Sequence, residues 1–258
     1  MLTQQQINHF DTFGYIVMRG VFSRNEMDEI RQASLTTMRN LRDSDDYITT
    51  HNQAIQPWFE RHPTMENLVD DERLYQIGES LCGPDFWLDG TEGHLRVGDT
   101  AWHSDRKTPE DLPWVKIAIY LDPLTKDNGC LRVIPGTHKN MDPDPYSCLR
   151  QSDAKLDPNA FGVRPDEIPA VALETDPGDL IIFTERIFHG AFGGGVGRHQ
   201  VCANFVGDLK TKQHVTFVKQ FYEQANWSAR PARTYVNSKR PRIRRMLETP
   251  LKLGFEIL

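Results

Sequence analysis

Asp127-Asn-Gly-Cys-Leu-Arg-Val-Ile-Pro-Gly-Thr-His138 places a short apolar strand between two turn signals. Asn128-Gly129 precedes the strand and Pro135-Gly136 follows it, and both dipeptides favour tight turns. We predict a strand over residues 130–133. Short strands bounded by such turns are typical of all-β barrels and sandwiches.

The same pattern of short strands and turns extends on both sides of this stretch, from residue 86 to about 206. Asp89-Gly90 and Pro177-Gly178 are further turn signals. The other predicted strands are 86–89, 92–97, 115–121, 169–172, 180–183, 187–192 and 199–206.

Helices are predicted before the strands. Thr3 can cap a helix over 4–12, and Ser23-Arg-Asn-Glu26 is a capping box that opens a helix to about residue 42. A further helix is predicted over about 66–81. Helices followed by many short strands indicate a mainly β fold, an antiparallel barrel or sandwich with helices packed outside.

Length and composition fit one domain covering residues 1–258. Within it we distinguish a mostly helical part over 1–85, a barrel core over 86–207 and a C-terminal extension over 208–258. The net charge of −6 argues against non-specific nucleic-acid binding by the whole domain. We therefore expect no nucleic-acid partner.

The cysteines and the apolar runs bear on the compartment. The four cysteines are scattered and form no C-x-x-C pair, as expected for reduced thiols. The first residues show no secretory signal pattern, and no apolar run is long enough to cross a membrane. We therefore expect a soluble, cytoplasmic protein.

A metal-binding pattern occurs in Trp102-His103-Ser104-Asp105, with a further histidine at His189. In a strand, residues two apart point to the same side, so His103 and Asp105 can face one metal ion. Two imidazoles and one carboxylate form the ligand set of non-haem iron oxygenases. The motif alone is weak, because His9-Phe10-Asp11 repeats it inside a predicted helix, where residues two apart do not face each other.

Four ordered motifs resemble one protein family. Asn128-Gly-Cys-Leu-Arg-Val-Ile-Pro-Gly-Thr-His-Lys139 resembles the N-G-x-L-x-x-x-P-G-S-H-[KR] signature of the phytanoyl-CoA dioxygenase family. The W-H-x-D at 102–105 precedes it at the expected place. The segment 10–23 resembles the F-x-x-x-G-[YF] start, and Pro177-Gly-Asp-Leu-Ile-Ile-Phe183 leads to His189-Gly190 as in the family. The resemblance extends to about residue 207.

This resemblance implies a double-stranded β-helix, which is a cupin-like jelly-roll barrel. It also implies Fe(II) as metal and 2-oxoglutarate as co-substrate, with His103, Asp105 and His189 as metal ligands and catalytic residues. The implied activity is hydroxylation of a small molecule with O₂, giving succinate and CO₂, with ascorbate as reductant in vitro. The family comparison makes His138, in the P-G-T-H turn, a structural residue.

Arg198 is the candidate anchor for the remote carboxylate of 2-oxoglutarate. Family members place an arginine about ten residues beyond the second histidine, and the guanidinium fork matches two carboxylate oxygens. Strand parity supports this assignment, because one face of 198–205 is polar, as in a strand that lines a ligand cavity. That face carries Arg198, Gln200, Cys202 and Asn204.

The chain departs from the family pattern near Arg198. The loop 192–197 is glycine-rich and slightly short, and we interpret it as a flexible turn because it lacks the features of a phosphate loop. Ala191 stands where relatives often have a hydroxyl donor. His199 or Arg186 could therefore be an auxiliary contact.

Further candidates lie near the predicted barrel mouth. Lys116 and Tyr120 share a strand face, so we expect one of them to contact 2-oxoglutarate. Trp102, Arg96 and Arg106 are candidate substrate contacts. Arg96 and Arg106, with Lys107, would suit an anionic substrate.

Several alternatives stay open at this point. The carboxylate of Asp105 disfavours halogenation, but desaturation, epoxidation or rearrangement remain possible outcomes. A non-catalytic cupin-like metal-binding barrel is the alternative of a different class. The basic segment 229–245 is either a solvated face, a dimer contact or an anion-binding surface. Residues 43–66 form either a substrate-covering loop or irregular surface, and the oligomeric state is not predicted.

Overall fold

Two antiparallel sheets form the centre of the protein. The computed structural model describes residues 1–41, 51–141, 145–150, 162–224 and 232–257. One sheet has the strand order β1-β8-β5-β10-β3-β2 and the other the order β4-β9-β6-β7. The strands are β1 (Tyr15–Met18), β2 (Gln53–Ile55), β3 (Trp87–Val97), β4 (Thr100–His103), β5 (Trp114–Tyr120), β6 (Leu131–Val133), β7 (Val171–Leu173), β8 (Leu180–Thr184), β9 (His189–Ala191) and β10 (Val196–Val206).

Helices flank the sheets, so the predicted mainly β jelly-roll fold is confirmed. The α-helices are α1 (Gln4–Phe13), α2 (Arg24–Asn40), α3 (Pro63–Glu66), α4 (Glu72–Cys82), α5 (Lys212–Gln224), α6 (Arg233–Val236), α7 (Pro241–Met246) and α8 (Glu248–Lys252). Short 3₁₀ helices lie at Phe59–Arg61, Ser147–Arg150 and Pro165–Glu167.

The predicted capping boxes are present, and one helix prediction needs correction. Thr3 and Ser23 each accept a hydrogen bond from the backbone three residues on and cap α1 and α2. The helix predicted over 66–81 is in fact two helices, because Asp71 caps a new helix at Glu72.

The turn predicted at Asp89-Gly90 is wrong, because β3 runs through it without a break. The strand pairs along its length with β10, but Gly90 faces Asn204 while Leu88 faces Phe205. Asp89 is therefore the extra residue of a β-bulge. The bulge leaves Asp89 buried, at 2% exposure, inside the molecule.

The faces of the central strands divide as the parity argument predicts. On β5 and β10 the apolar residues pack into the main core with the N-terminal helices; they are Val115, Ile117, Ile119, Val201, Ala203 and Phe205. The opposite face includes Lys116, Tyr120 and Arg198, which line an interior cavity. The barrel interior is therefore polar on these strands.

The P-G-T-H turn joins the barrel to the N-terminal helix. The Gly136 amide donates to the Phe13 carbonyl at 3.0 Å, and a His138 ring nitrogen lies 3.3 Å from the Asp11 carbonyl. A Cβ atom on Gly14 would lie 2.6 Å from His138 Nδ1, so glycine is required there. His138 thus has the structural position that was expected.

Helix α5 was not predicted, although its sequence shows helical spacing. His214, Val218 and Tyr222 are buried one turn apart. Val218 and Tyr222 pack in one cluster with Trp87 and Trp114 of the large sheet. The C-terminal extension therefore packs at the end of the large sheet, on the same face as Lys116.

Arginines of the basic segment pair with acids of the same chain. The Arg240 Nε donates to Asp70 at 2.8 Å, Arg242 pairs with Glu72, and Arg245 lies 3.4 Å from Asp85. These contacts attach α7 to the N-terminal half, whereas Arg230 lies outside the described residues. Within the described part of the chain, no helix is long and apolar enough to cross a membrane.

Candidate active site

His103, Asp105 and His189 come together at the end of the small sheet. His103 ends β4 and is the direct cross-strand partner of His189, which begins β9. The Asp105 Oδ1 atom lies 3.4 Å from His103 Nε2 and 3.7 Å from His189 Nε2. One donor atom of each residue lies within 4.8 Å of the others, a spacing that one metal ion can bridge.

Both histidines present the same ring nitrogen to this site. His103 Nδ1 is 2.8 Å from the Ala101 carbonyl, and His189 Nδ1 is 3.0 Å from the Ile187 carbonyl. A carbonyl accepts only from a protonated nitrogen, so Nδ1 carries the proton and Nε2 keeps its lone pair. Burial and the neighbouring His103 lower the pKa of His189 to about 4, which keeps it neutral and able to bind a metal.

Lys116 contacts the carboxylate of this group. Its Nζ donates to Asp105 Oδ2 at 2.9 Å. Burial opposes ionisation of Asp105, but the positive charge of Lys116 outweighs it and holds the pKa of Asp105 well below its ordinary value. The carboxylate is therefore ionised, as a metal ligand must be.

The charges around the site favour a metal cation. In the described residues, the buried cluster contains four carboxyl groups, on Asp89, Glu92, Asp105 and Glu185, and two cations, Lys116 and Arg106. Burial raises the pKa of Glu185 to about 8, so this group holds its proton at neutral pH. One excess negative charge then remains, and a metal cation held by the two histidines and Asp105 would offset it.

Arg198 lies in a buried position without a carboxylate. Its Nη1 donates to the Gly129 carbonyl at 2.7 Å and its Nη2 to the Gly98 carbonyl, but its Nε has no partner. Within the described ranges no acid lies within 4.0 Å of it, and burial lowers its pKa. A buried guanidinium of this kind fits the carboxylate of a ligand.

The glycine-rich loop packs around this guanidinium. A Cβ atom on Gly194 would lie 2.7 Å from Arg198 Nε, and one on Gly129 would lie 2.9 Å from Arg198 Cδ. The loop predicted as a simple flexible turn thus forms part of the arginine pocket, because only glycines leave room for the side chain there.

A cavity of about 60 Å³ connects Arg198 with the three candidate ligands. Tyr120, Gln200 and Thr100 contribute polar groups to its wall. A dicarboxylate that chelates a metal at one end and reaches a cation at the other matches this arrangement. The residues present therefore fit both an iron ion and 2-oxoglutarate.

A larger cavity of about 740 Å³ opens beside the smaller one. The two share His94, Arg96 and Lys116 along with His103 and Asp105. Residues 54–56 and Arg61 form another part of its wall. Part of the 43–66 stretch thus lines the cavity, as a substrate-covering segment would, while residues 42–50 lie outside the described residues.

Trp102 does not contact the cavities, which corrects its assignment as a substrate contact. Strand alternation turns it away from His103, and its side chain is 3% exposed. It packs on Phe192 at a ring distance of 5.5 Å and donates from Nε1 to the Pro165 carbonyl at 2.7 Å. Trp102 is a core residue of the small sheet.

Arg106 lines the larger cavity, but its charge is already paired. Its Nη1 lies 2.9 Å from Asp89 and also contacts Glu185. The guanidinium lies 4.4 Å from the ring centroids of both Trp114 and Phe221. We therefore correct its assignment as a cation for an anionic substrate.

The two proposed auxiliary residues point elsewhere. Arg186 donates to the Thr108 and His138 carbonyls, and His199 contacts Asp122 at 3.2 Å. Neither lines the cavity at Arg198. Their contacts join loops outside the site, so the auxiliary role was wrongly expected.

A family model described as phytanoyl-CoA dioxygenase (PhyH) matches residues 10–195. The chain belongs to the phytanoyl-CoA dioxygenase family. An ectoine dioxygenase of Sphingopyxis alaskensis is 27% identical over 221 residues, covering 74% of this chain and 71% of the relative.

Solved structures of other proteins superpose on this chain. HygX from Streptomyces hygroscopicus, determined with nickel and 2-oxoglutarate bound, superposes with a TM-score of 0.63 at 19% identity, covering 82% of this chain and 89% of HygX. The carbocyclase SnoK from nogalamycin biosynthesis gives a TM-score of 0.61 at 20% identity, covering 80% of this chain and 84% of SnoK. At these identities the structures support the jelly-roll fold.

Membership of the phytanoyl-CoA dioxygenase family makes the chain a 2-oxoglutarate-dependent, iron-dependent dioxygenase. Its substrates are accordingly small molecules. The family assignment and the cofactor prediction made from the motifs are confirmed.

Several residues of the site were missed in the sequence. Glu92 has the same strand parity as His94 and Arg96, which is a detectable polar face. Phe221 follows the helical spacing of α5. Asp89 was missed because a turn was predicted there. Nothing in the sequence around Arg61 indicates that it lines a cavity. We know no sequence signal that would have identified Glu185.

Proposed function

We propose that the protein hydroxylates a small organic substrate at an iron ion held by His103, Asp105 and His189, with 2-oxoglutarate anchored by Arg198. The observation that carries this proposal is the alignment of the three ligands and a carboxylate-free buried arginine along one small cavity. A binding barrel of the cupin type would have no need of that arginine.

Each residue has a distinct part in this reaction. When bound, iron and 2-oxoglutarate activate O₂, and 2-oxoglutarate is converted to succinate and CO₂ as the substrate is oxidised. His103 and His189 direct Nε2 at the metal through their Nδ1 hydrogen bonds. Arg198 binds the remote carboxylate, and the larger cavity places the substrate next to the ligands while its walls limit the access of water.

The substrate is proposed to carry an acidic group. Four basic side chains line the larger cavity, and Arg106 and Lys116 are paired with carboxylates. In the part of the chain that the structure describes, Arg61 and Arg96 have no acid within 4.0 Å. Two unpaired cations in a cavity favour an anionic ligand such as a carboxylate.

Free cysteines support the expected reducing compartment. Cys82, Cys130 and Cys202 are buried free thiols, and Cys148 is a partly buried one. Reduced thiols in these numbers fit a cytoplasmic enzyme, which we keep as part of the proposal.

Succinate formation tests the proposed reaction. Purified protein is incubated with Fe(II), ascorbate, 2-oxoglutarate and O₂, and His103→Ala and Arg198→Ala are measured beside the wild type. We expect His103→Ala to abolish turnover and Arg198→Ala to raise the KM for 2-oxoglutarate. Failure of the iron-loaded wild type to bind 2-oxoglutarate would contradict an oxygenase and favour a binding barrel.

A panel of small carboxylates tests the substrate class. Ectoine, the compound named for one relative, belongs in the panel together with its carboxamide, which lacks the carboxylate. We expect carboxylates to stimulate succinate formation and the Arg96→Gln variant to lose this stimulation. Stimulation by the amide alone would overturn the acidic-substrate proposal.

A further inference from the structure

The two oxygens of Asp105 have different partners. Oδ1 faces both histidine Nε2 atoms, at 3.4 and 3.7 Å. Oδ2 accepts a hydrogen bond from Lys116 Nζ at 2.9 Å. The carboxylate therefore offers one oxygen to a metal while the other is already bound by the lysine.

Lys116 is itself held in place from several sides. Its side chain is 10% exposed, and its Nζ lies 3.4 Å from Glu92 and 3.9 Å from Glu185. Glu92 in turn accepts hydrogen bonds from Asn204 at 2.6 Å and lies 2.6 Å from His94 Nε2. A lysine fixed by three carboxylates has little freedom to follow a mobile ligand.

The support continues into the C-terminal extension. Glu185 also contacts Arg106, whose guanidinium lies over the rings of both Trp114 and Phe221. Phe221 belongs to α5, which lies beyond the residues 10–195 matched by the family model. A helix outside the matched region thus packs against the ion-pair network that holds Lys116.

One-oxygen binding by Asp105 matters for the reaction. An octahedral iron ion has six positions, of which the protein takes three and a chelating 2-oxoglutarate takes two. A carboxylate bound through both oxygens would fill the sixth position, which O₂ needs. A group that occupies Oδ2 prevents this.

We propose that Lys116 is a positioning residue that restrains Asp105 to bind the metal through Oδ1 alone. This inference rests on the proposed function and replaces the expectation that Lys116 contacts 2-oxoglutarate.

Binding of Co(II), used in place of Fe(II) without O₂, tests the proposal. Its visible absorption depends on the number of ligands and reports coordination without any need for turnover. The variants are Lys116→Met, which keeps the length of the chain, and Lys116→Arg, which keeps the charge. Lys252→Met, at an exposed position on α8, is the matched control, and His103→Ala tests the metal site itself.

We expect Lys116→Met to shift the Co(II) absorption band without weakening Co(II) binding, because Asp105 is then free to bind through both oxygens. Lys116→Arg should restore much of the wild-type band, and Lys252→Met should match the wild type. A lower Tm with an unchanged Co(II) band would overturn the proposal, because it would show that Lys116 only neutralises buried acids. A wild-type Co(II) band with weakened 2-oxoglutarate binding would also overturn it and make Lys116 a co-substrate contact.

A second variant covers the case in which Lys116→Met fails to fold. The double variant Lys116→Met/Glu92→Gln removes one buried cation and one buried anion, so the formal charge of the cluster is unchanged. It should fold and still show the shifted Co(II) band, whereas a wild-type band in this variant would contradict the proposal. If His103→Ala bound Co(II) like the wild type, the metal site itself would be wrong, and the inference would fall with it.

Discussion

Gly194 packs against Arg198 so closely that a Cβ atom at residue 194 would lie 2.7 Å from Nε and 2.8 Å from Cζ of the arginine. The next residue, Gly195, has open space at the same position. Neither glycine has a positive φ, so the two differ in their surroundings and not in a need for left-handed backbone. They form a matched pair for testing the arginine pocket.

Gly194→Ala is expected to displace the Arg198 guanidinium and weaken 2-oxoglutarate binding about tenfold or more. The physical reason is the overlap of the added methyl group with the arginine, since a well-packed site cannot absorb it without movement. Titration of the metal-loaded protein with 2-oxoglutarate measures the effect, and metal binding should stay unchanged. Gly195→Ala should behave like the wild type; equal losses in the two variants would place the effect in the loop backbone instead.

Trp102→Phe is expected to lower stability without changing the KM for 2-oxoglutarate. The substitution removes the hydrogen bond to the Pro165 carbonyl and some buried area, which together contribute about 1–2 kcal/mol. Denaturant unfolding and steady-state kinetics measure the two effects separately. A changed KM with unchanged stability would return Trp102 to the site.

The sequence predicted those elements correctly whose limits are set by residues close to them in the chain. The capping boxes at Thr3 and Ser23 act within one helical turn, so their effect is visible in the sequence. The turn predicted at Asp89-Gly90 was wrong because the eleven-residue strand β3 pairs along its length with β10. This pairing overrides the turn preference of the dipeptide. Long-range pairing cannot be inferred from a dipeptide.

Arg106→Met is expected to destabilise the protein by about 3–5 kcal/mol, because it leaves Asp89 and Glu185 buried without their cation. Lys107→Met, at the next residue and exposed, should change stability by less than about 0.5 kcal/mol. Thermal and denaturant unfolding measure both. If Arg106→Met left stability unchanged and impaired only substrate use, Arg106 would be a substrate contact after all.

Glu60 gives a pH dependence that a single variant can remove. Burial raises its pKa to about 7, although its carboxylate accepts a hydrogen bond from Thr91 at 2.6 Å. The folded state thus holds a proton that the unfolded chain releases near 4.5, and this group's contribution to stability falls as the pH rises from about 4.5 to 7.

Glu60→Gln should therefore be more stable than the wild type at pH 8, by roughly 2 kcal/mol, and similar to it at pH 4.5. Urea unfolding at both pH values measures the difference. Glu29→Gln, at an exposed position of α2, should show no such pH dependence. A stability gain at pH 8 that is equally large at pH 4.5 would show that packing rather than ionisation is responsible.

The parts of the site that follow from motifs and from the alternation of side chains along a strand could be predicted from the sequence. His103, Asp105 and His189 lie together, and Arg198 lines the same cavity as its parity indicated. The roles of Arg106 and Lys116 could not be predicted, because both depend on acids that the fold brings to them, and one of these, Glu185, lies far from both in sequence. Charge type is readable from a sequence, whereas the partner that neutralises the charge is a property of the fold.

The two sheets of the barrel contribute unequally to the site. The three candidate ligands lie on β4 and β9 and just beyond β4, whereas Arg96, Lys116, Tyr120 and Arg198 lie on the large sheet. The metal ligands and most of the ligand-selecting wall thus belong to different sheets, which meet where Lys116 contacts Asp105. Side chains of the large sheet that line the wider cavity away from Asp105, such as Arg96, are the ones that evolution or the laboratory can exchange to admit a new compound while the oxidising chemistry is inherited intact.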